Sequence, residues 1–174
     1  LDEGIVETPY GGIGRYENLA LNSEAFNSWS AEAIWTVTAD NTLAPDGQTT
    51  AERIVHGTTG NPYLYEFVNK SGIAGSTYTF SVWLKGSAGG ESIRIQIESR
   101  SAGGAVLETG TSDITLTTSW QRFSVPKTFT SPASDTAVKF LIGLYSINSA
   151  AYTAYVWGGQ LEQSSVPGVY VKTT

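Results

Sequence analysis

The sequence predicts an all-β fold, either a β-sandwich or a closed antiparallel architecture, from three observations. Most segments alternate apolar and polar residues with the period of two that a β-strand requires. Clusters of glycine, serine and proline separate these segments at intervals of roughly 8–12 residues, a spacing typical of sandwiches. Only one segment, a short one, has a helical pattern. A chain of 174 residues suits a single domain that buries its own core.

The first part of the chain differs in character from the rest. Residues 1–17 contain Pro9 and several glycines, so we interpret them as a linker or arm ahead of a domain that covers residues 18–174. The segment is either a poorly ordered terminus or an arm that packs on a neighbouring subunit. The chain begins at Leu1 and contains no methionine, which indicates a processed piece or an excised domain of a larger protein.

The helical pattern lies around Ser23–Trp29. Ser23 belongs to a residue type that caps helices well, and Asn27 and Ser28 are suited to end one. We therefore expect at most one or two short helices in the fold.

Six further segments are predicted strands. Thr77–Lys85 has the clearest pattern, with four apolar side chains on one face. Ser92–Glu98 places its three isoleucines on one face and Arg94, Gln96 and Glu98 on the other. The other strands are Pro62–Val68, Trp120–Val125, Val138–Tyr145 and Tyr152–Leu161. The predicted turns between strands are Gly86–Gly90, Ser101–Gly104 and Thr130–Asp135.

Composition excludes several classes of function. The chain has no cysteine, so disulfides, thiol catalysis and thiolate metal sites are absent. Its formal charge is −6, and its ten lysines and arginines are scattered singly, which argues against a nucleic-acid partner because phosphate binding needs clustered cations. No apolar run approaches the ~20 residues that span a bilayer, so we expect no membrane insertion.

The sequence offers little for catalysis. His56 is the only histidine; it is predicted to lie in a loop, His56–Gly60, as a surface or ligand-rim residue. A carboxylate pair would be needed for a glycan hydrolase, and Glu66, Glu91, Glu98 and Glu108 are available. Carboxylates on exposed strand faces are usually only solvated, so a hydrolase or esterase is the less favoured alternative to a binding protein.

Sugar recognition fits the remaining residues better. A sugar ring stacks its C–H face on an aromatic ring and hydrogen-bonds through its hydroxyls to polar side chains. On Thr77–Lys85, Trp83 and Lys85 lie on the face opposite to the apolar row. If this strand forms a hairpin with Ser92–Glu98, Trp83 and Lys85 lie beside the Arg94, Gln96 and Glu98 row. Trp83 has two other interpretations, a subunit interface or simple packing under a loop.

Three tyrosines complete the candidate sugar-binding set. Tyr145 lies on the face of its strand opposite to the apolar residues, and Tyr63 and Tyr65 share a face of theirs. Phe67 continues the Tyr63–Tyr65 row, which is an argument that this row is buried.

Sequence motifs at both ends of the chain resemble those of a known family. The first are Asn18-Leu-Ala-Leu-Asn-Ser-Glu-Ala-Phe26, Trp35-Thr-Val-Thr38 and Ala44–Ile54; the last is Tyr155-Val-Trp-Gly-Gly-Gln-Leu-Glu162, with a serine-rich step into Tyr170. The chain from about Asn18 to Thr174 resembles jelly-roll domains of bacteriophage tail fibres and tailspikes, related to the galactose-binding-like carbohydrate-binding modules. The resemblance implies an antiparallel jelly-roll β-sandwich whose first and last segments lie close together.

The resemblance also implies roles for single residues. Trp35, Trp120 and Trp157 match scaffold positions, whereas Trp29 lies in what looks like an insertion and is expected in a loop, at a pocket rim or a contact. No cofactor is required, but related modules hold a structural calcium, and the matching positions are around Glu24, Asp46 and Glu162. This chain has Gly158–Glu162 where calcium-binding relatives show paired aspartates, and Asp46 is equally well explained by a turn.

The function implied by the resemblance is that of a non-catalytic carbohydrate-binding domain. Its parent would be a phage tail fibre, a tailspike or a similar surface protein, in a virion or another extracellular setting. The expected partner is a polysaccharide or cell-surface glycan, with a homotrimer or other virion proteins as further partners. The alternative is a structural virion domain, for decoration, fibre assembly or trimerisation, with no sugar ligand.

Overall fold

The computed structural model describes residues 6–7, 13–14, 17–31, 35–57, 63–70, 73–101, 103–130, 138–146 and 151–174. For residues 6–7, 13–14 and 138–146 it describes the backbone. Within these ranges the chain is built from β-strands and one short 3-10 helix, η1 (Phe26–Ser28). No helix in the described part of the chain is long and apolar enough to cross a membrane.

Two antiparallel five-stranded sheets form the sandwich. Sheet A contains, in spatial order, β10 (Gln121–Thr128), β7 (Thr77–Gly86), β12 (Tyr152–Glu162), β5 (Ala51–His56) and β4 (Trp35–Thr42). Sheet B contains β3 (Ser30–Ala31), β6 (Tyr63–Lys70), β11 (Val138–Ser146), β8 (Ser92–Arg100) and β9 (Val106–Thr115). The predicted all-β jelly-roll sandwich is therefore confirmed.

The core lies between the inner faces of the two sheets. The apolar rows of β7 and β8, predicted from their period, are fully or almost fully buried: Tyr78, Phe80, Val82 and Leu84 on β7, and Ile93, Ile95 and Ile97 on β8. Because successive side chains of a strand point to opposite faces, the alternate residues lie on the outer faces of the sheets. The outer faces are therefore where polar and aromatic side chains are available to a ligand.

All six predicted strands are present, with bounds that differ by a few residues. Among the strands longer than two residues, β4, β5 and β9 were not predicted as strands. In β9 only Ile114 is buried, because the strand lies at the edge of sheet B and carries mostly small polar residues. Such a strand has no apolar alternation for a sequence pattern to detect.

The hairpin between β7 and β8, which was the condition for placing Trp83 beside the Arg94 row, does not form. β7 pairs with β10 and β12 in sheet A, whereas β8 pairs with β9 and β11 in sheet B. The glycine-rich turn after β7 crosses from one sheet to the other, with Gly89 and Gly90 at φ of 84° and 91°. Each of the two strands buries one apolar row. The two rows face each other across the core and are not neighbours within one sheet. The outer faces of β7 and β8 consequently lie on opposite sides of the molecule.

The other turn predictions fall partly on described residues. At Ser101–Gly104, Gly104 has a φ of 87°, and Ser101 accepts a hydrogen bond from Gly104 N at 2.9 Å, as a turn requires. Of Thr130–Asp135, all but Thr130 lies outside the described residues.

The first and last segments of the domain lie together, as expected. Leu19 N donates to Leu161 O at 2.8 Å, and Ser23 N donates to Thr173 O at 3.3 Å. Asn18 is 7% exposed and its side chain makes four hydrogen bonds in this seam. In residues 1–17, β1 (Val6–Glu7) pairs with β2 (Ile13–Gly14) in a two-stranded ladder. The boundary at residue 17 stays a prediction.

The helix prediction is right in place and wrong in its cap. The 3-10 helix Phe26–Ser28 lies within the predicted segment, but Ala25 is at its N-cap position and forms no side-chain cap bond. Ser23 is instead fully buried, and its hydroxyl lies 2.7 Å from the hydroxyl of Tyr170. The Ser23 hydroxyl therefore bonds to the C-terminal segment instead of capping the helix.

Two predictions of exposed residues are wrong. Trp29 is 5% exposed and its ring lies 4.4 Å from that of Phe26, so it belongs to the core. His56 is the last residue of β5 and is fully buried, with its ring 5.1 Å from the rings of both Trp35 and Tyr152. Loops were predicted because Trp29 and His56 have polar neighbours in the sequence. Those neighbours do not determine whether the two rings point into the core. Trp35 is confirmed as a core residue.

Candidate functional site

The outer face of sheet B brings most of the predicted sugar-binding residues together. We call the outward row of β6, Tyr63, Tyr65 and Phe67, with the outward row of β8, Arg94, Gln96, Glu98 and Arg100, the sheet B face. Both rows flank β11 in register: residue 143 is opposite Tyr65 on one side and opposite Gln96 on the other. The two rows therefore lie on one surface although they are distant in sequence.

The aromatic row of the sheet B face is partly open to solvent. Tyr63 and Tyr65 are half-buried, and Phe67 is 40% exposed. The Tyr65 ring lies 6.5 Å from that of Tyr63 and 5.1 Å from that of Phe67, in edge-to-face arrangements. The argument that Phe67 buries this row is therefore wrong, because Leu64 and Val68 occupy the inner face instead. A row of this kind offers apolar ring faces to a sugar.

The polar row is held in place by charge pairs. Arg94 bonds to both carboxylate oxygens of Asp113 on β9, with Nη2 to Oδ2 at 2.9 Å. The hydrogen bond from the Arg94 guanidinium holds the pKa of the Asp113 carboxyl below its usual value. Gln96 Nε2 donates to Glu98 Oε1, and Arg100 Nη2 lies 2.7 Å from Glu98 Oε2. These pairs fix the direction in which each polar group points.

Gln96 and Glu98 form the floor of the face rather than its rim. Each is only 4% exposed, although each points away from the core. Between Gln96 and Tyr65 the intervening residue of β11 is Gly143, which has no side chain. The register therefore leaves one position between the aromatic row and the polar row without a side chain. Tyr145 occupies the register position between Tyr63 and Arg94, and its side chain lies outside the described residues.

Trp83 and Lys85 lie on the other side of the molecule, on the outer face of sheet A. Trp83 is half-buried and packs in a small cluster that also contains Trp120, Trp157 and Tyr170. The backbone of Gly158, at φ 65°, runs so close that a Cβ there would lie 3.1 Å from Trp83 Cδ1. Trp83 was interpreted as a sugar-binding, interface or packing residue. Its position under these neighbours fits packing.

Residues 163–174, here called the C-terminal strap, cover this part of sheet A. Arg122 Nη1 donates to Gly168 O at 2.5 Å, and Gln160 Nε2 donates to Val169 O at 3.0 Å. Burial raises the pKa of the Tyr170 hydroxyl well above its usual value. Trp157 is buried, as its expected scaffold role requires, and its ring lies 4.6 Å from that of Tyr170. Sequence patterns contain no signal for a strap of irregular backbone.

The three residues proposed for calcium have separate partners. Glu24 bonds to Lys172 Nζ at 2.7 Å, Asp46 accepts from Gln48 N at 2.9 Å, and Glu162 accepts from Gly168 N at 3.0 Å. No group of three or more acidic, histidine or cysteine side chains that could hold a metal ion is found among the described residues. The structural calcium stays a prediction.

The carboxylates considered for hydrolysis also have separate environments. Glu98 pairs with Arg100, Glu108 lies 3.1 Å from Lys127 Nζ, and Glu91 accepts from Ala88 N at 2.8 Å within its own turn. Glu66 is on the inner side of β6, where burial raises its pKa to about 7. Each of the first three therefore has a bonding partner of its own.

Two clefts lie away from the sheet B face. One, of about 520 Å³, is lined by the turn after β7 and by Tyr152. The other, of about 400 Å³, lies beside the seam and is lined by Glu24, Asp40, Glu52 and Lys172. Glu52 is 2% exposed and accepts from Asn27 N at 2.8 Å. Burial, with a contribution from the negative charge of Asp40, raises the pKa of Glu52 to about 7.

We predict that Glu52 makes the domain less stable as pH rises. Its pKa is about 7 when folded and 4.5 in the reference state, so between these values the folded protein binds more protons and the free energy of unfolding falls with pH. Glu52→Gln, which is neutral at every pH, should stabilise the domain by about 1–3 kcal/mol near pH 8 and by much less near pH 5. Urea unfolding at both pH values measures this. An equal effect at the two pH values would contradict it.

Comparisons with known proteins agree with this architecture. The profile of a family described as carbohydrate binding domain, CBM_4_9, matches residues 27–148, which is most of the chain. No curated protein matches by sequence. A tailspike protein 4 domain of bacteriophage CBA120 is 12% identical with a TM-score of 0.64; the match covers 84% of this chain and 21% of the tailspike chain.

Two carbohydrate-binding modules share the fold over nearly their whole length. The CBM22-1 xylan-binding domain of Paenibacillus barcinonensis Xyn10C is 14% identical with a TM-score of 0.57, covering 80% of this chain and 87% of that one. The TmCBM61 module, solved with β-1,4-galactotriose, is 12% identical with a TM-score of 0.52, covering 86% and 100%. At these identities the likeness is one of fold. By its family profile, this chain belongs to the carbohydrate binding domain family CBM_4_9.

Proposed function

We propose that the chain is a non-catalytic domain that binds glycan through the sheet B face. The observation that carries this proposal is the half-exposed row of Tyr63, Tyr65 and Phe67 beside a fixed polar row, with Gly143 between them. Sugar rings stack on the aromatic row, and their hydroxyls bond to the floor formed by Gln96 and its neighbours. The interaction relies on few contacts, so single-site binding is weak and benefits from several copies.

We further propose that the domain attaches a larger surface protein to its target. The family membership and the fold shared with a phage tailspike support a place in a tail fibre, a tailspike or a similar extracellular protein. The match covers 21% of that tailspike chain, about a fifth of its length. The partner would be a polysaccharide or cell-surface glycan, with a homotrimer as the expected source of avidity.

Tyr65→Ala tests the sheet B face. We expect at least about a tenfold loss of affinity for the glycan that the domain binds, because the central ring of the aromatic row is removed. Affinity gel electrophoresis in gels that contain xylan, galactan, β-glucan or bacterial surface polysaccharide measures the affinity. Tyr152→Ala is the matched control, since it removes a half-buried tyrosine that packs on His56 and belongs to neither outer face.

The outcome separates two functions. Unchanged binding by Tyr65→Ala, or an equal loss in both variants, contradicts the sheet B face as the site. No binding of any glycan by the wild-type domain, presented as a trimer, contradicts the proposed function and favours a structural virion domain. The observation that favours this second function is the edge strand β9, where Val106 and Leu107 are 51% and 37% exposed.

A further inference from the structure

One part of the outer face of sheet A, where β5, β12 and β7 lie side by side, has an aromatic and cationic character. Tyr155 on β12 is opposite Lys85 of β7 on one side and opposite Arg53 of β5 on the other. Arg53 points outward because its neighbour Ile54 is fully buried in the core. Lys85 Nζ lies 5.0 Å from the centre of the Tyr155 ring and 4.9 Å from that of Trp120. All four side chains are half-buried.

Arg53 and Lys85 differ from the cations of the sheet B face. Arg94 and Arg100 pair with Asp113 and Glu98. In contrast, Arg53 and Lys85 take part in no ion pair with the described carboxylates, and neither donates a hydrogen bond there. The contact of Lys85 with two rings does not neutralise its charge and leaves its N–H groups able to donate. Two cations remain unpaired, although the chain as a whole has a charge of −6.

The strand order sets the distance between the two cations. β5 and β7 flank β12, so the Cα atoms of Arg53 and Lys85 are two strand spacings apart, roughly 10 Å. The Tyr155 ring lies between them. A sugar ring stacked on Tyr155 would place a substituent on either edge within reach of a long cationic side chain.

We propose that this surface, here called the sheet A patch (Arg53, Lys85, Trp120 and Tyr155), binds an anionic sugar, one with a carboxylate or sulfate group. Tyr155 and Trp120 supply ring faces for the sugar, and Lys85 and Arg53 supply charge-assisted hydrogen bonds to its anionic group. A neutral sugar would leave both cations unmatched, whereas an acidic one pairs with them. This proposal does not depend on the sheet B face, which lies on the opposite side of the sandwich.

The test is the double variant Arg53→Gln/Lys85→Gln. Affinity electrophoresis in gels that contain polygalacturonate or dextran sulfate should show wild-type retardation, reduced at least about tenfold in the variant. The retardation should weaken as salt is raised, because the contact is electrostatic. A parallel gel that contains uncharged dextran controls for retardation that does not depend on the anionic groups of the polymer. Comparing the polyuronate with the sulfated polymer identifies which anionic group is preferred.

A charge-matched control separates a site from general electrostatics. Lys70→Gln/Lys172→Gln removes two positive charges elsewhere and should stay within about twofold of wild type. Tyr65→Ala should retain binding to the acidic polymer even if it loses neutral glycan. Absence of wild-type retardation in both acidic gels, or equal losses in the two double variants, would overturn the proposal. Loss of acidic binding in Tyr65→Ala would do so as well, since it would place that ligand on sheet B.

Discussion

Replacement of Asn18 by alanine should reduce the free energy of unfolding by about 3–5 kcal/mol, the largest effect expected of any polar residue here. Asn18 Nδ2 donates to Gly159 O and Val171 O, each at 2.9 Å. Its Oδ1 accepts from Ala20 N and Leu161 N, each at 3.0 Å. One buried side chain thus joins the first segment, the last strand and the C-terminal strap. Alanine leaves buried backbone groups of all three without partners, and urea unfolding measures the loss.

Two further variants test the cause of this effect. Asn18→Asp keeps the shape and the oxygen that accepts from Ala20 N and Leu161 N. It replaces Nδ2 with a carboxylate oxygen that faces two carbonyl oxygens, so it should also destabilise the fold near pH 7. Asn41→Ala, at an exposed position of β4, should change stability by less than about 0.5 kcal/mol. If Asn18→Ala proved as mild as Asn41→Ala, the seam would not be held by this side chain.

Replacement of Gly143 by valine should abolish or greatly weaken glycan binding without destabilising the fold. A side chain at residue 143 lies on the same face as Tyr65 and Gln96, because directly opposed residues of an antiparallel ladder share a face. Valine would fill the space between the aromatic and polar rows. Since glycine is a poor strand residue and valine a good one, the melting temperature should be unchanged or higher.

The combination of lost binding and retained stability is the informative result. We expect at least about a tenfold lower affinity, measured on the glycan that wild type binds best. Thr111→Val places the same residue on the other side of Gln96, where the native side chain already has that volume, and should bind normally. Wild-type affinity in Gly143→Val would show that sugar does not enter this space.

The strands could be predicted from the sequence, but their assignment to sheets could not. Both β7 and β8 have one apolar and one polar row, and this period is the same whether the strands pair with each other or face each other across the core. The predicted site therefore contained both Trp83 and Arg94. In the structure the turn after β7 crosses between the sheets, so the two residues lie on opposite outer faces of the sandwich. The crossover depends on long-range pairing, which no local pattern contains.

The same limit explains what was missed on the sheet B face. The row Tyr63, Tyr65 and Phe67 is visible in sequence as an aromatic residue at every second position. The apolar character of Phe67 nevertheless suggested burial. Asp113 and Gly143 join the site only through register, Asp113 opposite Arg94 and Gly143 opposite Gln96. Burial of Trp29 likewise depends on contacts between the two ends of the chain, distant in sequence.

The most direct test of glycan binding at the sheet B face is a nuclear magnetic resonance titration. Nitrogen-15 labelled domain would be titrated with the neutral oligosaccharide that binds best, and amide shifts followed along the chain. The proposed site predicts the largest shifts in β6, β8 and β11, around Tyr65, Gln96 and Gly143. Shifts confined to β5, β12 and the C-terminal strap would contradict it and place the neutral sugar on sheet A.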